Sequence, residues 1–82
     1  MKLHLGGYNK KIYGFINVDI RPEVNPDLLD DAFRLTKVKD NSVDLIYACH
    51  VLEHGDFTES NRALERWHQV LKPGGKVRIA VP

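Results

Sequence analysis

A single cysteine, Cys49, stands in the whole sequence, so no internal disulfide can form. The N-terminal residues also lack the charged, apolar and small-residue order of a secretory signal. Together these absences set a reducing, cytoplasmic location as the expectation. No apolar run approaches the ~20 residues that cross a bilayer, so no membrane partner is expected. An excess of either charge is missing too. The 12 Lys and Arg residues are interspersed with 11 Asp and Glu, for a net charge of +1. That leaves no basic stripe for nucleic acid or a membrane surface. Low-complexity tracts and internal repeats are absent, and so is the three-glycine G-x-G-x-x-G pattern of a dinucleotide-binding domain.

What is present is ordinary for a folded domain: 82 residues, 43% hydrophobic and 28% charged. The length fits a single domain over residues 1–82 with a thin core. Lys2 to Leu5 alternates polar and apolar residues and stops at Gly6-Gly7, which reads as a short strand entering a tight turn. Phe15 to Ile20, with Ile16, Val18 and Ile20 on one face, reads as a second strand closing at Arg21-Pro22. Only about ten residues separate the two, near the lower limit for a parallel crossover, and Gly14 interrupts them. The expectation is a loop with at most one helical turn.

Pro26 in the turn-prone Asn25-Pro26-Asp27 is expected to open a helical turn through Asp30, with Ala32 to Leu35 as a short third strand. Asp40-Asn41-Ser42 signals a turn into Val43-Asp44-Leu45-Ile46-Tyr47-Ala48, a nearly continuous apolar run suited to a central strand covered on both faces. Asp56 and Glu59 have capping-box spacing. Phe57, Leu64, Trp67 and Leu71 then recur at helical spacing down to Lys72-Pro73. Pro73 ends this helix, Gly74-Gly75 turn the chain, and Lys76 to Val81 alternates as a last strand. Strands separated by crossovers indicate an α/β domain with a mostly parallel sheet.

Ligands of open parallel sheets bind beyond the carboxyl ends of the strands, which selects Gly6-Gly7, Asp19, Asp31-Ala32, Cys49 and His50. Missing β-carbons at Gly6-Gly7 would let a ligand approach backbone N–H groups, and the Asp19 carboxylate could accept both hydroxyls of a ribose. Each feature has a plainer reading. The glycines serve a turn, Asp19 caps the turn at Arg21-Pro22 through backbone N–H groups, and Asp31 is a solvated surface charge.

Four segments taken in order, KLHLGGYN, GFINVDI, DNSVDLIYACHVLEH and LERWHQVLKPGGKVRIAVP, resemble the class I S-adenosylmethionine (SAM) dependent methyltransferases, in particular the small-molecule, type 11-like branch. The resemblance implies a Rossmann-like class I methyltransferase fold, truncated after the fifth strand, with SAM as cofactor and a small-molecule acceptor. By that resemblance Gly6 and Gly7 lie under the methionine part of SAM, with Tyr8 beside them. Asp19 holds the ribose hydroxyls with Ile20 adjacent, and Asp31 and Ala32 flank the adenine ring. Cys49 and His50 line the methyl-transfer side, with His50 or His54 as the candidate base. A histidine packed at a strand end is the plainer alternative for either.

Two departures matter. The usual glycine-rich loop has more glycines and leads into a long helix, for which this first crossover leaves little room. The family's sheet also continues past the fifth strand. An exposed edge there invites a second copy of the chain, so a homodimer is expected. A non-catalytic SAM-binding or structural module is the alternative function. His50-Val51-Leu52-Glu53-His54 also has the H-x-x-E-H spacing of a zinc peptidase. Its place directly after a strand, with only a short stretch behind it to supply a third ligand, counts against that reading.

Overall fold

The alternating pattern of Lys2–Leu5 and the apolar run at Val43–Cys49 form neighbouring strands, as their patterns require. In the computed structural model, which describes residues 1–7, 10–52 and 55–80, strands β1 (Lys2–Leu5), β2 (Ile16–Asp19), β3 (Leu28–Leu29), β4 (Val43–Cys49) and β5 (Leu71–Ala80) make one sheet. All are parallel, in the order β3-β2-β1-β4-β5. The middle strand is therefore β1 rather than the Val43 run, whose Leu45, Tyr47 and Cys49 are only half-buried on their side of the sheet.

Register decides which side chains share a face. Leu3 lies beside Ile16 and Ile46, and Leu5 beside Val18 and Ala48. Leu3, Leu5, Val18, Ile46 and Ala48 are all 1% exposed or less. Helix α1 (Phe57–Val70) covers this face with Ala63, Trp67 and Val70, spaced i, i+4, i+7 and fully buried. Phe57 and Leu64, expected on the buried stripe, are 83% and 40% exposed. At about 100° per residue Leu64 falls beside the stripe rather than on it. The capping box forms as expected: the Asp56 side chain accepts from the Glu59 N–H, and the Glu59 carboxylate accepts from the Asp56 N–H.

The segment between β2 and β4 departs from the expectation. A 3-10 helix forms at Pro22–Val24 rather than from Pro26, and the third strand is Leu28–Leu29, paired with Val18 and Asp19, rather than Ala32 to Leu35. Asp30 explains the shift. Its buried carboxylate accepts from the N–H groups of Asp31 (2.8 Å) and Lys37 (2.9 Å) and from the Thr36 hydroxyl (3.0 Å), which winds residues 30–37 into turns.

Strand β5 begins at Leu71, five residues before the expected Lys76. Leu71 pairs with Val43, the register then shifts, and pairing resumes at Lys76 with Leu45. The shifted-out residues are Lys72-Pro73-Gly74-Gly75, with Gly74 at φ +83°. The crossover between β1 and β2 forms turns closed by Lys10 N–H to Gly7 O and Phe15 N–H to Ile12 O, with no helix among its described residues. No helix among the described residues is long and apolar enough to cross a membrane.

Candidate functional site

The ends of β1, β2, β3 and β4 open onto two adjoining cavities. One, of about 300 Å³, is lined by Gly6, Val18, Asp19, Ile20, Arg21, Asp31, Ala32, Phe33, His50 and Val51. The other, of about 460 Å³, is lined by His4, Gly6, Gly7, Lys10, Ile12, Tyr47, Cys49 and His50. Gly6 and His50 border both and form the ridge between them. The sheet thus brings Gly6, Asp19, Ile20, Asp31, Ala32 and His50 together around the first cavity and places Gly7 and Cys49 in the second. Tyr8 and His54 lie outside the described residues.

Asp19 ends β2 only 7% exposed. Its Oδ1 accepts from the backbone N–H of Arg21 (2.9 Å) and from Arg21 Nε (3.0 Å), and its Oδ2 accepts from Arg21 Nη2 (3.0 Å). The turn-capping reading of Asp19 is therefore part of its role. The forked guanidinium, helped by the backbone N–H, outweighs burial and holds the carboxyl below its usual range. Next to it Asp31 Oδ1 accepts from the Phe33 N–H at 2.8 Å, and the Ala32 carbonyl accepts from the Trp67 indole at 2.8 Å. The wall made by residues 31–33 is thereby tied both to itself and to α1.

The two glycines have structural reasons of their own. Gly6 sits at φ +72°, and a β-carbon there would run into the Cys49 carbonyl and the Val51 side chain. A β-carbon on Gly7 would run into the His4 ring. Their missing side chains are taken up by neighbouring protein. His50, exposed on the ridge, has the left-handed φ of +54° that costs a non-glycine residue strain, and its N–H donates to the Ala80 carbonyl at 2.7 Å.

Sequence reasoning overlooked His4, Arg21, Phe33 and Tyr47 as lining residues. His4, 3% exposed, faces Asn17 Oδ1 across 2.9 Å from Nδ1 and stacks on Tyr47 with centroids 5.3 Å apart. Asn17 Nδ2 donates to the Lys10 carbonyl, which orients the amide oxygen toward His4. His4 Nδ1 therefore carries the hydrogen. The available signal was a histidine between Leu3 and Leu5, since strand alternation sets it on the face opposite theirs.

A family model described as a methyltransferase domain matches residues 9–79. The chain belongs to the methyltransferase domain family. The five parallel strands and one α-helix among its described residues are consistent with a Rossmann-like methyltransferase fold. The match to the methyltransferase domain includes Asp19, Ile20, Asp31, Ala32, Cys49 and His50 but starts after Gly6 and Gly7. No curated protein matches the chain. Among the described residues of the methyltransferase domain, no three His, Cys, Asp or Glu side chains gather as a metal site; Glu53 and His54 of the zinc motif lie outside them.

Proposed function

We propose that this methyltransferase domain binds SAM across the two cavities and transfers its methyl group to a small-molecule acceptor. One observation carries the reading: Asp19 and Ile20 at the end of β2, and Asp31 and Ala32 after β3, line a single cavity that continues past Gly6 and His50 into a second. The residues suit the cofactor. Ile20, 65% exposed, and Phe33 offer apolar surface for a purine, and the ionised Asp19 carboxylate offers acceptors to a ribose. Each cavity lies at the lower end of the ~300–1,000 Å³ typical of small-ligand sites, and together they suit an extended ligand.

Bound SAM supplies an already activated methyl group. What the chain's residues contribute is placement and exclusion of water. Asp19, Ile20, Asp31 and Ala32 hold the nucleoside end, while the second cavity, bordered by Gly6 and Gly7, receives the methionyl end. His50, on the ridge, stands where a proton can be taken from an acceptor in the second cavity. Calorimetry with S-adenosylhomocysteine tests binding, and turnover with a panel of small acceptors tests transfer. Asp19→Ala should weaken binding by about 1–3 kcal/mol, and an unchanged affinity would remove Asp19 from the site.

A second reading is a non-catalytic module that pairs with a second copy along β5. The outer edge of β5 carries no strand among the described residues, and Ile79 on it is 45% exposed. Light scattering at micromolar concentration distinguishes the states: a dimer supports pairing, and a monomer ends it.

A further inference from the structure

We infer that Arg21 is a latch on the first cavity, occupying the acceptor sites of Asp19 that a ribose would need, so that nucleoside binding requires its side chain to swing away. The inference rests on the reading that Asp19 meets a ribose. It follows from counting lone pairs. A carboxylate offers about four acceptor sites, two on each oxygen. Arg21 fills both on Oδ1, with its backbone N–H at 2.9 Å and Nε at 3.0 Å, and one on Oδ2, with Nη2 at 3.0 Å. With the Ile20 N–H also drawn toward the carboxylate, at most one site on Oδ2 remains. A vicinal diol that donates one hydroxyl to each carboxylate oxygen therefore finds a place for its first hydroxyl only.

The backbone N–H of Arg21 is fixed by the turn, but its side chain is not walled in. That side chain is 45% exposed, whereas Asp19 is 7% exposed. The guanidinium can move into water and remain hydrated, and the buried carboxylate then exchanges charge-assisted donors for the two hydroxyls of the diol. Arg21 also lines the same cavity as Asp19, Ile20 and Asp31, so its resting position lies where the nucleoside would enter. A binding-competent state populated only in part lowers apparent affinity by that fraction, and removing the latch restores it.

The test uses calorimetry on the full chain with S-adenosylhomocysteine, adenosine and 2′-deoxyadenosine. Arg21→Ala is expected to tighten S-adenosylhomocysteine and adenosine by roughly 3- to 10-fold. It should change 2′-deoxyadenosine little, because a single hydroxyl fits the site already open on Oδ2. Arg21→Lys, whose ammonium cannot fork onto both oxygens, should fall between. Raising the salt concentration should tighten adenosine for the wild type and not for Arg21→Ala, since screening weakens the pair.

Affinity for adenosine that is equal or lower in both variants overturns the latch while leaving the SAM reading intact. So does an equal gain for the deoxynucleoside. Absence of S-adenosylhomocysteine binding at millimolar concentration in the wild type and in both variants overturns the SAM reading itself, and the latch with it. Circular dichroism confirms that the variants are folded, and Arg21→Lys keeps the comparison available if Arg21→Ala is not.

Discussion

The indole N–H of Trp67, in the last turn of α1, donates to the backbone carbonyl of Ala32 at 2.8 Å and so ties the helix to the wall of the first cavity. Trp67 is fully buried. Trp67→Phe keeps most of the apolar area but leaves the Ala32 carbonyl without this donor, at an expected cost of about 1–3 kcal/mol. Trp67→Ala should cost about 3–5 kcal/mol. Urea unfolding measures both. S-adenosylhomocysteine affinity should fall in Trp67→Phe if residues 31–33 hold the nucleoside.

Asp30 gathers three donors at 7% exposure, and it should matter more to stability than any other carboxylate in the loop. Burial pushes its carboxyl up, but the hydrogen bonds from Lys37, Asp31 and Thr36 outweigh it and the net shift is downward. Asp30→Ala is expected to lower stability by about 2–3 kcal/mol, read from chemical denaturation.

The acid response follows from the same groups. Asp30 and Asp19 titrate below the ordinary value of 3.8, as does Asp27, whose main cause is the Asn17 N–H. Between the folded and unfolded values the unfolded chain binds more protons, so stability rises with pH across that window. It is fully present above about 3.8 and is lost as pH falls through the lower folded values. Thermal melts should therefore be flat with respect to these carboxylates near neutrality and drop steeply below pH ~4, less steeply in Asp30→Asn. An equal slope in that variant would rule out Asp30 as a contributor.

Gly6 and Gly14 both have positive φ, +72° and +84°, but only Gly6 is crowded. Gly14→Ala meets nothing within 4 Å and should cost only the conformational strain, about 1–2 kcal/mol. Gly6→Ala must also push against the Cys49 carbonyl, and a total of about 3–4 kcal/mol is expected. Equal losses in paired melts would contradict the crowding argument.

His50 holds a left-handed conformation at φ +54° on the ridge between the cavities. His50→Gly relieves that strain and should raise stability by up to about 1 kcal/mol. Under the proposed transfer reaction, turnover should fall in the same variant. Increased stability with full turnover would leave His50 a structural residue only.

Local patterns made much of the fold legible. The capping box at Asp56 and Glu59, the turn at Asp40-Asn41-Ser42 and the apolar run at Val43 each depend on residues within a few positions, so α1 and β4 follow from them directly. Strand β3 was not legible: Leu28-Leu29 has no alternation and is a strand only because Val18 and Asp19 pair with it. The early start of β5 was hidden for the same reason, because Leu71 pairs with Val43 across the sheet.

The site divides along the same line. Which residues follow the strand ends, Gly6, Asp19 and His50 among them, is written in the chain order, and so is the proximity of Arg21 to Asp19. That Asp19, Ile20, Asp31 and Ala32 face one cavity, that Trp67 anchors its wall and that Gly6 has no space for a side chain depend on contacts between segments distant in sequence. Those contacts exist only once parallel pairing has brought the strand ends to one edge of the sheet.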